Sequence, residues 1–346
     1  QAEDGIRDVE RSRGLGDVYK RQEYNVSVLS LKEGEAPLTY DLDGVHVIEL
    51  NEKKYCGKSQ TRYVLSYVKF LMLSFIRCAK FFFQRKIDIV HVHNMPNFLV
   101  FSAFIPRVFG KKIILDIHDS VPETYATKFS GLGRLLFRLL CIEELLSCAF
   151  ANRIICVNHV QSDVLIQRGI PEEKITISMN VLDHRKFKSV SANHGRKRSL
   201  SGFRAVYHGT IAMRLGIDLI LRAIAHLKNK IPDLEFHVWG RGGDDLDEIL
   251  IILNQLGIQD KVHFNDAIPM DALIPKLLDM SIGIIGNRRS VATELMLPVK
   301  LLEYVALGIP VVAPRLKAIQ YYFTEEMVTY YEPEDVDSMA EARLKL

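Results

Sequence analysis

The chain has 346 residues, of which 48% are hydrophobic and 25% are charged, and its formal net charge is +3. This length predicts two domains, and the composition is that of an ordinary globular protein. Five cysteines, at positions 56, 78, 141, 148 and 156, form no C-x-x-C pair. The cysteines therefore argue against a disulfide framework and a cysteine zinc site, and they predict buried, reduced thiols.

Both ends of the chain are irregular. Residues 1–22 show neither strand alternation nor a helical face, and they end in RGLGDVYKRQ, which is typical of translated sequencing-adapter sequence. We therefore interpret residues 1–22 as a non-native leader and exclude them from the fold; a natural irregular N-terminus is the alternative. The C-terminus stops inside the predicted helix VDSMAEARLKL. We expect a fragment that is shortened at both ends.

Between residues 23 and 183, short apolar strands alternate with helices. The predicted strands are 25–31, 45–50, 87–93, 111–119, 153–158 and 174–180. Helices are predicted at 61–84 and 131–150, and a further capped helix ends at Gly169. Fully apolar strands in such an alternation predict parallel sheets covered by helices.

The predicted helix 61–84 lies in a basic stretch, because residues 53–86 contain nine Lys or Arg and no Asp or Glu. Lys69, Arg77 and Lys80 interrupt its apolar surface, so it is a poor membrane span. It is either a packing helix or a helix that also rests on anionic lipid through its basic face. No helix-turn-helix, zinc-finger or RNA-binding motif accompanies the basic residues, which argues against nucleic acid as a partner.

Residues 184–201 lose the alternation and become polar and basic, so we predict a linker there. The alternation restarts in a second domain, residues 202–346, with strands at 203–209, 234–240, 262–268, 281–286 and 309–313. The domains 23–183 and 202–346 are thus both predicted to be doubly wound. Ligands of such sheets bind at the carboxyl ends of the strands.

Polar side chains gather at two strand ends of the first domain. His91 and His93 share one face of a strand, and Asp116 and His118 share a face of the next strand. A metal pair is conceivable for His91 and His93, yet no third ligand has an obvious claim, and packing or hydrogen bonding explains them better. A capped helix start explains Asp119 and Glu123, but it does not explain Asp116 and His118 within the strand. We therefore predict a functional role for His118.

Glycine turns follow two strands of the second domain. In HGTIAMRLG, Gly209 joins a strand to a helix, which lets backbone N–H groups approach phosphate oxygens while Arg214 supplies charge. The GRGG turn that begins at Gly240 lacks the G-x-G-x-x-G spacing and the acid that should follow it. The second turn therefore argues against a nicotinamide enzyme.

The stretch LMLPVKLLEYVALGIPVVAP, residues 295–314, carries the clearest candidate site. Pro298 suits a first helical turn, and Gly308 suits the position just past a helix end. Lys300 and Glu303 lie three residues apart and therefore share one helix face. A packing helix needs no such charged pair, whereas a helix N-terminus beside a cation is an anion site.

Five segments occur in an informative order: VHVHN, LDIHDSVPETY, ITISMNVLDHRKF, YHGTIAMRLGIDLILRAI and VKLLEYVALGIPVVAP. Together they resemble family 4 glycosyltransferases over roughly residues 24–346. The resemblance implies an α/β GT-B fold, with two Rossmann-like doubly wound parallel-sheet domains that face an interdomain cleft. It also implies an acceptor-side first domain and a second domain that binds the nucleotide-sugar donor.

The resemblance assigns roles to individual positions. Glu303 matches the glutamate that binds the donor ribose hydroxyls, a role that suits a carboxylate with several acceptor sites. His118 matches a histidine that contacts the donor sugar near the reacting centre.

The backbone around Leu297, Pro298 and Val299 matches the helix start that receives the diphosphate, and Gly209 matches the glycine of the phosphate-facing turn. Lys300, one turn before Glu303, and Gly240 are further donor-binding candidates. The segment with Phe264 and Ala267 matches the one that contacts the base.

Three departures from the family pattern matter. A second family glutamate falls at Leu295, and its neighbour Glu294 is the replacement candidate for that catalytic position. The phosphate-binding lysine falls at Leu215, and the adjacent Arg214 is the candidate in its place. We expect the first strand and its glycine-rich loop to be missing, since they should precede residue 23.

The resemblance implies transfer of a sugar with retention from a nucleotide sugar such as a UDP- or GDP-sugar. The basic apolar helix 61–84 suggests a glycan or lipid-linked acceptor, and hence cell-surface polysaccharide or glycolipid synthesis. We expect a cytoplasmic protein, either free or resting on the inner face of the membrane.

The resemblance also implies that no metal is required. The D-x-D sequences at 41–43, 245–247 and 335–337, which metal-using transferases carry, end no convincing parallel strand, so we interpret them as loop or helix-cap residues. Two alternatives stay open: a nucleotide-sugar 2-epimerase of the same fold, and a non-catalytic nucleotide-binding or membrane-surface scaffold.

Overall fold

The computed structural model describes residues 24–32, 34–53, 55, 59–128, 133–182, 187, 202–243 and 245–344. The predicted leader 1–22 lies outside these described residues, and so does the predicted linker 184–201 apart from Phe187. The described residues form two compact units. The first unit takes those within 1–122, 133–156 and 166–176, and the second takes those within 123–132, 157–165 and 177–346.

A three-stranded sheet in the order β1-β3-β2 opens the first unit (β1 Ser27–Lys32, β2 Thr39–Leu42, β3 Val45–Lys53). β1 and β3 are parallel, whereas β2 is antiparallel to β3 and is absent from our prediction. Asp43 and Gly44 form the hairpin turn with φ values of 53° and 80°. An Asp-Gly pair adopts positive φ readily and therefore joins antiparallel strands.

A four-stranded parallel sheet in the order β4-β5-β6-β7 carries the predicted histidines. Its strands are β4 Ile89–His93, β5 Lys112–Ile117, β6 Arg153–Cys156 and β7 Ile175–Ile177. His93 is the last residue of β4 and pairs in register with Asp116 of β5. His118 directly follows β5. These side chains therefore meet at the carboxyl edge of the sheet.

Helices of the first half are α1 Gln60–Phe83, α2 Phe104–Val108, α3 Val121–Lys128, α4 Arg134–Phe150 and α5 His159–Gln167, with a 3-10 helix at Asn97–Ala103 before α2. Among the described helices, none has the length and apolar character needed to cross a bilayer. Cys78, Cys148 and Cys156 are buried thiols, as predicted, whereas Cys141 is half-buried and Cys56 lies outside the described residues.

Six parallel strands in the order β10-β9-β8-β11-β12-β13 form the sheet of the second unit. The strands are β8 Phe203–His208, β9 Leu234–Trp239, β10 Val262–Asn265, β11 Ile282–Ile284, β12 Val311–Pro314 and β13 Thr329–Tyr331. Counted from β8, this is the order 3-2-1-4-5-6 of doubly wound dinucleotide-binding domains. The order reverses between β8 and β11, and ligands of such folds bind there, at the carboxyl ends of the strands.

Helices cover both faces of this sheet and bury separate apolar layers. One layer contains α6 Ile217–Leu227, α7 Leu246–Leu256 and α11 Val336–Leu344. The other contains α8 Met270–Leu277, α9 Val299–Ala306 and α10 Lys317–Tyr322. Tyr207 of β8 faces the first layer and Val206 the second. Strands buried on both sides need apolar residues at every position, which is the pattern that the sequence carries.

Two glycines bring the loops after β8 and β11 together at this switch point. A Cβ added at Gly216 would lie 1.8 Å from the carbonyl oxygen of Gly286, and Gly216 has a φ of +70°. The guanidinium of Arg288 joins the same loops, since its Nε donates to the Met213 carbonyl at 3.1 Å and it pairs with the buried Asp218. The two backbones can approach this closely only because both residues lack a Cβ.

Candidate active site

Helix α9 presents its N-terminus close to the switch point. It begins at Val299, with Pro298 as the N-cap, and no side-chain hydrogen bond caps that end. At the other end Gly308 has a φ of +65°, and the N–H groups of Gly308 and Ile309 donate to the carbonyls of Val305 and Tyr304 at 3.0 and 2.9 Å. These two bonds form a Schellman motif, which confirms Gly308 as the helix-ending glycine.

Lys300 lies against the end of β8. Its Nζ is 3.7 Å from the centre of the Tyr207 ring, and a Cβ added at Gly209 would lie 3.4 Å from the same Nζ. Tyr207 is buried, and its hydroxyl donates to the Thr210 carbonyl at 2.6 Å. Burial raises the pKa of Tyr207, so the ring under the ammonium is neutral. The ring face attracts the ammonium, which holds Nζ of Lys300 beside Gly209.

Glu303 reaches the neighbouring residue of the same strand. Its Oε2 lies 2.6 Å from Nε2 of His208, and His208 Nδ1 lies 2.9 Å from the hydroxyl of Tyr304. Burial raises the pKa of Tyr304, which keeps its hydroxyl proton for donation to Nδ1. We therefore assign the imidazole proton to Nε2, where it is donated to the carboxylate of Glu303. Lys300 and Glu303 thus contact consecutive residues of β8, as expected for side chains on one helix face.

The sequence analysis missed Tyr207 and His208. Both lie in the segment YHG at the end of a strand, and His208 is buried although it is polar. A buried polar residue must find a hydrogen-bond partner, and a histidine at the carboxyl end of a buried strand was the available signal. Its partner could not be chosen from the sequence, because Glu303 lies 95 positions away.

Gly209 and Gly240 lie side by side at the ends of β8 and β9. The N–H of Gly209 donates to the Trp239 carbonyl at 2.9 Å, and a Cβ added at Gly240 would lie 1.9 Å from the Gly209 carbonyl oxygen. Gly209 has a φ of +113°, which glycine alone adopts without strain. The predicted phosphate-facing turn therefore lies next to Lys300, and Gly240 packs directly on its backbone.

The predicted base-contacting segment lies one strand further from the switch point. Phe264 is in β10, where it packs partly against the apolar layer of α6 and α7, and Ala267 follows the strand. The N–H of Gly240 donates to the Asn265 carbonyl at 3.1 Å. The segment therefore joins the same strand-end edge as Gly209 and Gly240.

The replacement candidates Arg214 and Glu294 lie in two 3-10 turns, Met213–Leu215 and Thr293–Leu295. Arg214 is exposed, next to the switch-point loops. Glu294 is engaged within the protein, because Oε1 lies 3.1 Å from Arg289 Nε and Oε2 accepts from the Lys317 N–H at 2.6 Å. These contacts tie the turn to the start of α10, and the catalytic role of Glu294 stays a prediction.

In the first unit, the carboxylate of Asp116 lies close to three imidazole rings. Its Oδ2 lies 3.1 Å from His91 Nε2, 3.4 Å from His93 Nδ1 and 3.5 Å from His118 Nε2. His93 Nδ1 and His118 Nε2 lie 2.9 Å apart, and the three rings stack nearly parallel. Burial opposes the charge on Asp116, but the hydrogen bond from His91 and the three histidines outweigh it, so the pKa of Asp116 lies below its ordinary value.

This cluster corrects one expectation about His91 and His93. The sequence analysis found no obvious third ligand, yet donor atoms of His91, His93 and Asp116 lie within 4.8 Å of one another. A strand register that places His93 opposite Asp116 is the reason, and it cannot be derived from either strand alone. The hydrogen bond between His91 and Asp116 agrees with the expectation that the histidines serve hydrogen bonding.

A second group of metal-ligand type among the described residues contains Glu235, His237 and His263. His237 Nε2 lies 3.2 Å from Glu235 Oε2, and burial is the main cause of a lowered pKa for His237.

The three D-x-D sequences lie outside both of these groups. The first is in the β2–β3 hairpin. Asp245, just before α7, accepts the N–H of Met213 from the 3-10 turn after β8, and Asp335, just before α11, accepts the N–H of Ser338 in the first turn of that helix.

Comparison with known proteins gives two adjoining family matches. The profile described as Glycosyltransferase Family 4 matches residues 13–186, and the profile described as Glycosyl transferases group 1 matches residues 202–346. A search of curated proteins gave no match.

Solved structures with the same architecture are similar over nearly the whole chain. Sucrose-phosphate synthase from Thermosynechococcus elongatus has a TM-score of 0.74 at 15% identity, covering 97% of this chain and 82% of that one. A UDP-forming α,α-trehalose-phosphate synthase from Burkholderia xenovorans has a TM-score of 0.69 at 14% identity, covering 96% and 87%. A structure described as trehalose-6-phosphate from E. coli bound with UDP-2-fluoro glucose has a TM-score of 0.66 at 11% identity, covering 92% and 83%.

The fold is therefore the two-domain, Rossmann-like GT-B fold, with a 3-2-1-4-5-6 sheet in the second unit. The family 4 profile covers half of the chain, and the group 1 profile covers most of the remainder. This chain belongs to glycosyltransferase family 4 and is a glycosyltransferase.

Proposed function

We propose that the protein transfers a sugar from a nucleoside diphosphate sugar to an acceptor hydroxyl, with retention of configuration. One observation carries the donor half of the proposal: Lys300 and Glu303, on one face of α9, both contact the end of β8 at the switch point. Folds of this type bind ligands at that position. A cation and a carboxylate held side by side suit a ligand with a diphosphate at one end and hydroxyls at the other.

In this proposal the diphosphate lies at the N-terminus of α9. The backbone N–H groups of Leu297 and Val299, on either side of Pro298, and the ammonium of Lys300 would face its negative charge. Arg214 would add a further positive charge from the neighbouring turn. The same groups stabilise negative charge that grows on the leaving diphosphate during transfer, and no divalent metal is required for that task.

Glu303 would then hold the ribose. A carboxylate has about four lone-pair sites, so the hydrogen bond from His208 leaves acceptor capacity for two vicinal hydroxyls. His208 also fixes the orientation of that carboxylate, because its imidazole is held in turn by the Tyr304 hydroxyl. Phe264 and Ala267 mark the edge proposed for the base.

His118 in the first unit is proposed to contact the donor sugar near the reacting centre. Retention without an assured enzymic nucleophile fits attack by the acceptor hydroxyl on the face that the diphosphate leaves. The acceptor is proposed to be a growing glycan or a lipid-linked sugar on the cytoplasmic side of a membrane.

Thermal unfolding with UDP, GDP, ADP and NAD in parallel tests the donor half. UDP comes first, because the similar structures from B. xenovorans and E. coli carry UDP in their descriptions. A nucleotide at about 100 times its dissociation constant stabilises the folded state by about 2.7 kcal/mol, which raises Tm by roughly 5–11 °C in a domain of this size. A flat response to all four compounds would reject the donor site.

Substitutions assign the response to α9. We expect Glu303→Gln and Lys300→Ala to remove most of the nucleotide-induced Tm shift, because each deletes a charge that the proposal places on the ligand. Glu326→Gln is the matched control, since Glu326 is exposed in the same unit. An equal shift in Glu303→Gln and Glu326→Gln would reject the assignment of the ribose to Glu303.

Catalysis is tested by product analysis with radiolabelled nucleotide sugars. Sugar that moves to an added acceptor supports the transferase, and the anomeric configuration of the product tests retention. Turnover of the donor to an epimer without acceptor would favour the 2-epimerase, and nucleotide binding without turnover would favour the scaffold.

The first unit also exposes an apolar surface, and we propose that it rests on an anionic membrane. Exposed apolar residues line one side of α1 and of α4; they are Val64, Leu65, Val68, Met72, Ile76 and Phe83, and Leu135, Leu136, Leu139, Ile142 and Leu146. The ends of α2 connect these helices, because Phe82 stacks on Phe109 and Phe104 stacks on Phe150. Apolar side chains among basic ones are typical of helices that lie in a membrane interface.

Flotation with liposomes tests this surface. We expect the protein to float with vesicles that contain anionic lipid at low salt, and to float less when salt screens the basic residues. Leu65→Glu together with Ile76→Glu should abolish flotation, whereas Met327→Glu, at an exposed apolar residue of the second unit, should not. Absence of flotation at low salt would remove the membrane from the proposal.

A further inference from the structure

We propose that Glu235, His237 and His263 form a zinc site on the sheet of the second unit. The three residues supply one carboxylate and two imidazoles, and a water molecule would complete the four-coordinate ion. None of the three has a role in the proposed transfer of a sugar, so the site does not depend on that function.

Strand alternation places the three side chains on one face of the sheet. The residues of β9 and β10 that pack in the apolar layer of α6 and α7 are Leu234, Phe236, Val238, Val262 and, in part, Phe264. Successive side chains of a strand point to opposite faces, so Glu235, His237 and His263 share the other face. Because β10 is at the edge of the sheet, this face lies close to solvent.

The register of β9 and β10 brings the donor atoms together. His237 and His263 are direct partners in this parallel pair, and their ring centres lie 4.8 Å apart. Glu235 precedes His237 by two residues, and its Oε2 lies 3.2 Å from His237 Nε2. Donor atoms of all three residues lie within 4.8 Å of one another. Neighbouring strands and period-two spacing thus converge on one small volume.

These separations suit a small transition-metal ion. Ligand atoms at zinc distances around a tetrahedral ion lie about 3.3–3.6 Å apart, which the contact between Glu235 and His237 nearly matches. Binding would draw the widest pair together by about 1 Å, a movement that side-chain rotation supplies. Two imidazoles with one carboxylate favour zinc over Mg²⁺ and Ca²⁺, since those ions prefer oxygen ligands.

Neighbouring side chains orient two of the ligands. Nε of Arg204 donates to Oε2 of Glu235 at 3.2 Å, and the ring of Trp239 stacks on His237 at 5.4 Å between centres. Contacts of this kind behind the ligands are typical of metal sites. The positive charge of Arg204 opposes a cation, and the side chains of Glu235 and His237 are 42% and 19% exposed. We therefore expect an exchangeable zinc ion that enters from solvent.

A zinc ion at this position would join the edge strand to the rest of the sheet. His263 is in β10, whereas the other two ligands are in β9. The ion would therefore cross-link two strands that are otherwise held by backbone hydrogen bonds and by packing. Because a ligand that binds only the folded state stabilises it, the role that follows is stabilisation of the second unit by zinc.

Unfolding of the full chain with and without Zn²⁺, after removal of bound metal by a chelator, tests the site. Zn²⁺ at about 100 times its Kd should raise the Tm of the wild type by roughly 5–11 °C. Loss of a residue that only orients a ligand typically costs about 10–100-fold in metal affinity, so His263→Asn and His237→Ala should each cost at least about 100-fold. His226→Asn is the matched control and should respond as the wild type does, since His226 is exposed in the same unit outside the cluster.

Co²⁺ in place of Zn²⁺ gives a spectroscopic readout, because four-coordinate Co²⁺ absorbs visible light much more strongly than the aqueous ion. The wild type and His226→Asn should develop this absorption, and His263→Asn should not. Glu235→Gln keeps the shape of its side chain and should lower zinc affinity at least about tenfold, which decides the question if a histidine variant fails to fold.

Three results would overturn the proposal. The first is a wild type whose Tm does not rise with Zn²⁺, and the second is an equal rise in the wild type and in His263→Asn. The third is a zinc response that His93→Ala removes and His263→Asn keeps, because it would place the ion at the histidines of the first unit. None of these measurements needs sugar transfer, so failure of the zinc site and failure of the proposed function are distinguishable.

Discussion

The close approach of Gly216 to Gly286 makes a quantitative prediction about the switch point. In Gly216→Ala, the new Cβ would lie 1.8 Å from the Gly286 carbonyl oxygen and 2.7 Å from its carbonyl carbon. Real Cβ atoms do not come that close to backbone atoms, so the loop after β11 must move. That loop carries Arg288, which ties it to Met213 and Asp218. The movement therefore also strains the contacts of Arg288 with Met213 and Asp218.

The expected cost has two parts. Alanine with a φ near +70° costs roughly 1–2 kcal/mol, because its Cβ crowds the following carbonyl. Forcing extra volume into a packed site costs roughly 1–3 kcal/mol more. Gly308→Ala isolates the first part, since Gly308 has a φ of +65° and nothing lies within 4 Å of the added Cβ. Both glycines belong to the second unit, so both variants report on the same folding unit.

Thermal unfolding of the two variants measures the difference. Each kcal/mol shifts Tm by about 2–4 °C in a domain of 150–250 residues, so we expect Gly216→Ala to unfold roughly 2–12 °C below Gly308→Ala. Urea unfolding gives the same comparison as a free energy. Equal losses of Tm in the two variants would refute the reasoning, because they would mean that the Gly286 loop accommodates the methyl group without strain.

Three further predictions concern buried groups. Arg168→Leu removes an ion-pair partner of Glu144, whose side chain is 0% exposed, and should lower the free energy of unfolding in urea by roughly 3–5 kcal/mol. A loss well below this range would contradict the buried ion pair. Tyr304→Phe deletes the 2.9 Å contact with His208 and should cost roughly 1–3 kcal/mol by the same measurement, with an unchanged free energy as the contrary result. Burial raises the pKa of Glu143 above its ordinary 4.5, so its contribution to stability is present below that pH and is lost as the pH rises through the folded-state pKa. The Tm of the wild type should therefore fall relative to Glu143→Gln from pH 4.5 to pH 7, and parallel curves would contradict the raised pKa.

Local patterns in the sequence determined most of the secondary structure and part of the site. Alternation of apolar strands and helices predicted β8 and α9, and the Pro298–Gly308 spacing predicted where α9 ends. These predictions succeed because capping and amphipathic spacing act between residues a few positions apart. The same reasoning placed Lys300 and Glu303 on one helix face. It missed β2, since the Asp43–Gly44 hairpin signal was overlooked in favour of parallel pairing.

Only the tertiary structure decided which distant residues meet. His208 pairs with Glu303 across 95 positions, and His93 meets His118 across 25 positions, because parallel strands bring their carboxyl ends to one edge whatever lies between them in the chain. Strand order and register set those pairs, and both depend on the summed burial of whole layers rather than on any local pattern. The sequence alone therefore determined the kind of residue at each strand end, and the fold determined its partner.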